Sequence, residues 1–144
     1  MPTKKLPLPV KLIAFLYLLQ GVLNGGLGIA FLIELLTDID LAPGADPEGF
    51  AFVVLITAFL SFCGLLTVVG WNLWKGKRPA LLGAIVVSSL EMGFYMLLGF
   101  AGWLAAMVGL GNEALWVGLG GATLHVTILL YLIFSGSVRD AFGR

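Results

Sequence analysis

The sequence predicts an all-α fold: a four-helix transmembrane bundle that runs up-down-up-down with both termini cytoplasmic. Three observations predict it. The chain of 144 residues is 60% hydrophobic and only 11% charged, less than half the charged share of about 25% in ordinary domains, and its mean hydropathy is +1.06. The apolar residues fall into four continuous runs, each long enough to cross roughly 30 Å of hydrocarbon. All 8 basic residues lie in the segments that such a path places on one side.

The first span is expected over about residues 10–36, the second over 50–74, the third over 80–110 and the fourth over 114–134, in one domain covering 1–144. The runs are continuous rather than alternating and exceed the roughly 10 residues of a barrel strand, which argues against strands. A basic start and an apolar stretch, "MPTKKLPLPVKLIAFLYLLQGVLNGG", imitate a signal peptide. The stretch is too long, Lys11 interrupts it and no small-residue cleavage pattern follows, so it reads as a retained first span.

Lys4, Lys5 and Lys11 precede or open the first span, Lys75, Lys77 and Arg78 fill the link "KGKRP", and Arg139 and Arg144 follow the fourth span. Glu34, Asp38, Asp40, Asp46, Glu48 and Glu113 mark the other side, most of them in or beside the outer acidic loop 37–49. By the positive-inside rule the basic side is cytoplasmic, which gives a multi-pass protein of the inner (plasma) membrane. Trp71 and Trp74 mark the inner interface, Trp103 and Trp116 the outer one. In the loop, "DID" lacks the glycine and bidentate Glu of a calcium loop. "DPEG" is read as Asp46 capping span two with Pro47 at its first helical position. The tail "SGSVRDAFGR" is expected at the headgroups.

Depth follows from the basic anchors at about 1.5 Å per residue. Lys11 to Asn24 and Arg78 to Glu91 are each roughly 20 Å, Arg139 back to His125 roughly 21 Å, and a similar count from Lys75 reaches Ser61 to Cys63. Each span thus brings a polar or small residue to one level near the bilayer centre, to within about a turn, because long basic side chains snorkel. Angular position agrees. The stripes are Tyr17, Gln20, Asn24 and Gly28; Thr57, Ser61 and Gly64; Ala84, Ser88, Glu91, Tyr95 and Gly102; and Gly118, Gly121, Ala122 and His125. In lipid, small and polar faces turn toward other helices, so a polar seam is expected inside the bundle. "GVLNG", "AGWLAA" and "ALWVGLGGA" carry the small residues that let backbones approach, and the glycine-rich "VLNGGLGIAF" is expected to bend or loosen span one. "LNGG" with "LEMG", and "KGKRPA" with "SVRDAF", sketch two duplicated hairpins.

Glu91 sets the functional question. An ionised acid at the bilayer centre costs about 2.5–3.5 kcal/mol, so it must be protonated, paired or wet. Spans three and four share a short link, so Glu91 and His125 are expected to meet, with Asn24 and Gln20 completing the network and Ser88, Tyr95 and Ser61 at its edges. Three readings stay open. The pair is polar glue that fixes helix register; or the seam is a pocket or path for a proton, ion or small amphiphile; or Glu91 and His125 act as acid and base on a lipid-soluble substrate. The expectation is a protein that binds a small hydrophobic molecule or a partner membrane protein, with transport and catalysis as alternatives.

Other chemistry is narrowed by composition. One cysteine, Cys63, excludes an intrachain disulfide and a CxxC pair, and one histidine excludes a multi-histidine zinc site or bis-histidine haem within the chain. No cofactor or metal is expected. Zero net charge gives no ground for nucleic acid. The expected partners are the lipid bilayer and, through the glycine faces, a homo-oligomer or membrane-protein partner. No phosphate-binding or hydrolase motif is present. The stretch "VVGWNLWKGKRPA" (68–80), a span ending in glycine, tryptophan and a basic turn, resembles a broad group of small prokaryotic four-helix membrane proteins of unknown function, and the resemblance implies the same four-span plan.

Overall fold

Four long apolar helices and one short one follow in the order α1 (Leu8–Asp38), α2 (Pro47–Trp74), α3 (Arg78–Met107), α4 (Glu113–Phe134) and α5 (Gly136–Phe142) in the computed structural model, which describes residues 6–38 and 47–143. The first four are each long and apolar enough to cross a membrane. Helix is the outcome because a lone apolar segment in lipid must satisfy its own backbone. For the same reason α1 stays helical through Gly25, Gly26 and Gly28. The expected cap at Asp46 lies outside the described residues, and α2 does begin at Pro47.

Glycines in the left-handed region end two helices. After α2, Gly76 has φ 69°, and Lys77 N–H donates to Asn72 O at 3.0 Å while Gly76 N–H donates to Leu73 O at 2.9 Å. After α3, Gly109 has φ 77°, with Leu110 N–H donating to Ala105 O at 2.9 Å and Gly109 N–H to Ala106 O at 3.2 Å. Both are paired 6→1 and 5→2 closures that satisfy the last carbonyls of a helix. The third span therefore stops at Met107, not at the expected Leu110.

Packing is by hairpins. α1 lies along α2 and α3 along α4, whereas α2 and α3 touch over a short stretch. The glycines set the close approaches. A methyl group on Gly21 would collide with Thr67 and the carbonyl of Cys63, and one on Gly118 would collide with the backbone of Gly99. This is the small-residue packing expected from the sequence.

The buried side chains lie in the half of the bundle nearer the basic links. Val10, Ala14 and Tyr17 of α1, Leu66 and Leu73 of α2, Leu81, Ala84 and Val87 of α3 and Leu132 of α4 form one cluster there. α5 closes its end. Val138 and Phe142, four residues apart and so on one face, are buried in the same cluster. Arg78 fixes the far end of α5: Nε donates to Phe142 O at 2.7 Å, and the guanidinium also donates to Gly143 O. The tail is thus a docked helix as well as a basic end. Nearby, Lys75 Nζ sits 4.5 Å from the Trp71 ring centroid, a cation–π pair of the kind found at interfaces.

The acidic half is different. Beyond Gln20, Glu91 and His125, the buried positions among the described residues are Gly21, Gly28, Gly49, Cys63, Gly99, Gly102 and Gly118. Gly28 meets α2 at Phe59 and Leu60, and Gly99, Gly102 and Gly118 join α3 to α4. Each hairpin stays closed on itself there, while past Cys63 no buried side chain among the described residues joins one hairpin to the other.

Candidate functional site

At the boundary between the two halves, α1, α3 and α4 each contribute one polar side chain. Gln20 Nε2 of α1 donates to Glu91 Oε1 of α3 at 2.6 Å. The other carboxylate oxygen, Oε2, lies 3.3 Å from His125 Nδ1 of α4. Glu91 is 4% exposed and His125 3% exposed. The separation allows charge attraction, but the geometry makes no hydrogen bond, and Oε2 and Nδ1 are both buried without a hydrogen-bond partner. Such atoms are uncommon in folded proteins, and the Tyr131 hydroxyl is a third among the described residues.

Tyr95 flanks the layer. Its ring stacks on the His125 imidazole at 5.5 Å between centroids and 15° between planes, which fixes the imidazole plane. One turn toward the basic end, Tyr17 OH donates to Ala84 O at 3.2 Å and shares a short hydrogen bond with the Ser88 hydroxyl. Both Tyr17 and Ser88 are buried. This second contact ties α1 to α3 directly beneath the Gln20–Glu91 contact.

A groove of about 190 Å³ opens beside the layer between α1 and α4, lined among others by Gln20, Asn24 and His125. Asn24 makes no hydrogen bond within the described residues. Toward the basic end the layer is sealed by Tyr17, Leu73, Leu81, Leu132, Val138 and Phe142, all at most 4% exposed.

The structure brings together most of the residues singled out from the sequence. Glu91, His125 and Gln20 form the layer, Asn24 lines its groove, Tyr95 stacks on it and Ser88 lies one turn below. The depth count puts Asn24 level with Glu91, and it is Gln20, one turn nearer the basic end, that reaches Glu91, a shift within the turn of error in counting depth. Ser61 is a correction. Its hydroxyl donates to Thr57 O of its own helix at 2.9 Å and the residue is exposed. Thr57 likewise donates to Val53 O at 2.8 Å. Hydroxyls that satisfy themselves on the preceding turn can face lipid, so the stripe Thr57, Ser61, Gly64 does not face the seam, and α2 instead presents Cys63, Leu66 and Leu73 inward. The residue underweighted in the sequence is Tyr17. Its signal was the register: three residues before Gln20, as Ser88 stands three before Glu91.

Among the described residues no three His, Cys, Asp or Glu side chains gather as a metal site. Comparison with family models, with curated proteins and with solved structures returns no match to this chain.

Proposed function

We propose that this four-span protein binds a neutral, lipid-soluble molecule at the Gln20–Glu91–His125 layer, with its basic end on the cytoplasmic side. The observation that carries the proposal is the pair of orphaned atoms, Glu91 Oε2 and His125 Nδ1, beside a groove that Gln20, Asn24 and His125 line. Polar glue satisfies its own hydrogen bonds. Here the Asn24 amide, which lines the groove without a partner, is left for a ligand's hydroxyl or carbonyl, beside a layer in which two buried atoms lack hydrogen bonds. The ligand is uncharged because no Lys or Arg among the described residues shares the layer and an added charge at this depth is costly.

Transport is the second reading, since intramembrane Glu and His serve as relay groups. Below the Tyr17–Ser88 pair the packed apolar side chains argue against a through-path, because a proton or ion would need polar groups or water across the rest of that plug.

The test uses the full chain in detergent micelles with three neutral probes that carry one polar end: farnesol, decylubiquinone and oleamide. Saturable binding of at least one, weakened about tenfold per lost hydrogen bond in Gln20→Ala and in His125→Ala, supports the proposal, provided circular dichroism shows both variants folded. Absence of saturable binding for all three, or binding that both variants leave unchanged, contradicts it. Proton flux in proteoliposomes that disappears in Glu91→Gln establishes transport in its place.

A further inference from the structure

The layer accounts for a ligand's polar end and leaves open where an apolar chain would lie. Past Asn24 the inward stripe of α1 continues as Leu27 and Phe31, at the i+3 and i+7 positions that share a helix face. On α2, Phe59, Leu55 and Phe52 continue the face that carries buried Leu66 and Leu73, again in steps of three and four. In the basic half these faces are covered by the second hairpin. In the acidic half they are bare: Leu27 is 71% exposed, Leu55 64% and Phe31 56%. Together they line a cavity of about 480 Å³ whose polar lining residue is Asn24, within the range of about 300–1,000 Å³ for small-molecule sites. Asn24 also lines the groove beside His125. The two spaces therefore meet at one unpartnered amide, and the groove reaches His125 of the layer.

We infer that this face is the chain-binding half of the same site: a neutral single-chain amphiphile places its hydroxyl or carbonyl head at Asn24 and the Glu91–His125 layer, and its chain runs along Phe31, Phe52 and Phe59 toward the acidic end. This rests on the binding role proposed above and adds the ligand class and its orientation. The orientation separates the ligand from bulk lipid. A phospholipid keeps its headgroup at the interface and sends its chain ends to the centre, whereas here the hydrogen-bonding groups are at the centre and the apolar cradle extends outward. The rival groove between α3 and α4, also about 480 Å³, touches the layer through the Tyr95 ring and includes none of Gln20, Asn24 and His125, so a chain lying there would not be joined to the layer through Asn24.

The test is photolabelling of the full chain in lipid bilayers with hexadecanol carrying a mid-chain diazirine, read by peptide mass spectrometry. A phosphatidylcholine with the same diazirine is the control. Labelling within 52–59 is expected to saturate and to fall about tenfold with excess unlabelled hexadecanol. Leu27→Trp, which fills the cavity from an exposed position without touching the layer, is expected to remove it, and Asn24→Leu to weaken it, with thermal unfolding of both variants close to the parent. Non-saturable labelling that matches the phosphatidylcholine pattern would overturn the inference in favour of bulk lipid. Crosslinks between copies at the same residues would overturn it in favour of a second chain. Saturable labelling that depends on His125 but maps to 96–100 and 119–126 would overturn the placement and leave the proposed binding role standing. Absence of saturable labelling anywhere, together with no binding of farnesol, decylubiquinone or oleamide, would remove both.

Discussion

Glu91 and His125, 34 residues apart in sequence and on separate helices, place a carboxylate oxygen 3.3 Å from a ring nitrogen inside an otherwise largely apolar bundle. Gln20 holds the other carboxylate oxygen at 2.6 Å, so one acid joins three helices. Its loss should be graded by what replaces it. Glu91→Gln can keep one contact and is expected to cost about 1 kcal/mol, within the measured span of interhelical hydrogen bonds in membranes. Glu91→Leu strands the Gln20 amide and removes the carboxylate facing His125, and should cost about 1–3 kcal/mol. Reversible unfolding in mixed micelles checks the ranking, and equal costs for both variants would show that the carboxylate makes no specific contact.

Tyr17 and Ser88 form a separable unit one turn below. Tyr17→Phe and Ser88→Ala are each expected to lower stability by about 1 kcal/mol. The double variant should cost about as much as either single one, because the second change removes a group already without its partner. A double-mutant cycle measures this, and strict additivity would mean that the two hydroxyls do not interact.

Glycines with the same sequence context should behave oppositely. Gly118→Ala drives a methyl group into the Gly99 backbone and should destabilise by about 1–3 kcal/mol. Gly64→Ala meets nothing within 4 Å and should be neutral or stabilising by up to about 1 kcal/mol, the helix-propensity difference. Thermal unfolding of the two variants side by side gives the comparison.

The docking of α5 is open to a local test. Phe142→Ala removes a buried ring and Arg78→Ala removes both hydrogen bonds to the end of the helix. Because α5 touches mainly α4, the expected result is local release. Hydrogen exchange at 136–142 should accelerate about tenfold or more, as for a loss of about 1.4 kcal/mol, with exchange in α1–α4 unchanged. Exchange that stays slow in both variants would place the hold on α5 elsewhere.

The sequence carried the four spans, the hairpin pairing and the meeting of Glu91 with His125, because long apolar runs and counts from basic anchors are governed by the fixed rise of a helix. It did not carry the face of α2. Ser61 and Thr57 hydrogen-bond to their own helix, so a polar stripe of small hydroxyls is compatible with lipid as well as with a neighbour. It did not carry α5 either, since Val138 and Phe142 are an apolar pair too short to stand out before the fold supplies a surface for them. The bare inward face at Leu27, Phe31, Phe52 and Leu55 is the least legible feature. In a membrane, core positions and lipid-facing positions are both apolar, so hydrophobicity does not distinguish a covered face from an uncovered one.

The most direct measurement is solid-state NMR of the full chain in lipid bilayers with ¹⁵N-labelled His and Gln and ¹³C-labelled Glu. His125 is the single histidine, so its signals need no assignment. A through-space correlation from His125 Nδ1 to a Glu carboxyl carbon, joined to a Gln side-chain nitrogen and lost in Glu91→Gln, is the expected result. A histidine ring that correlates with acyl-chain signals and with no carboxyl would contradict the shared layer and the binding role built on it.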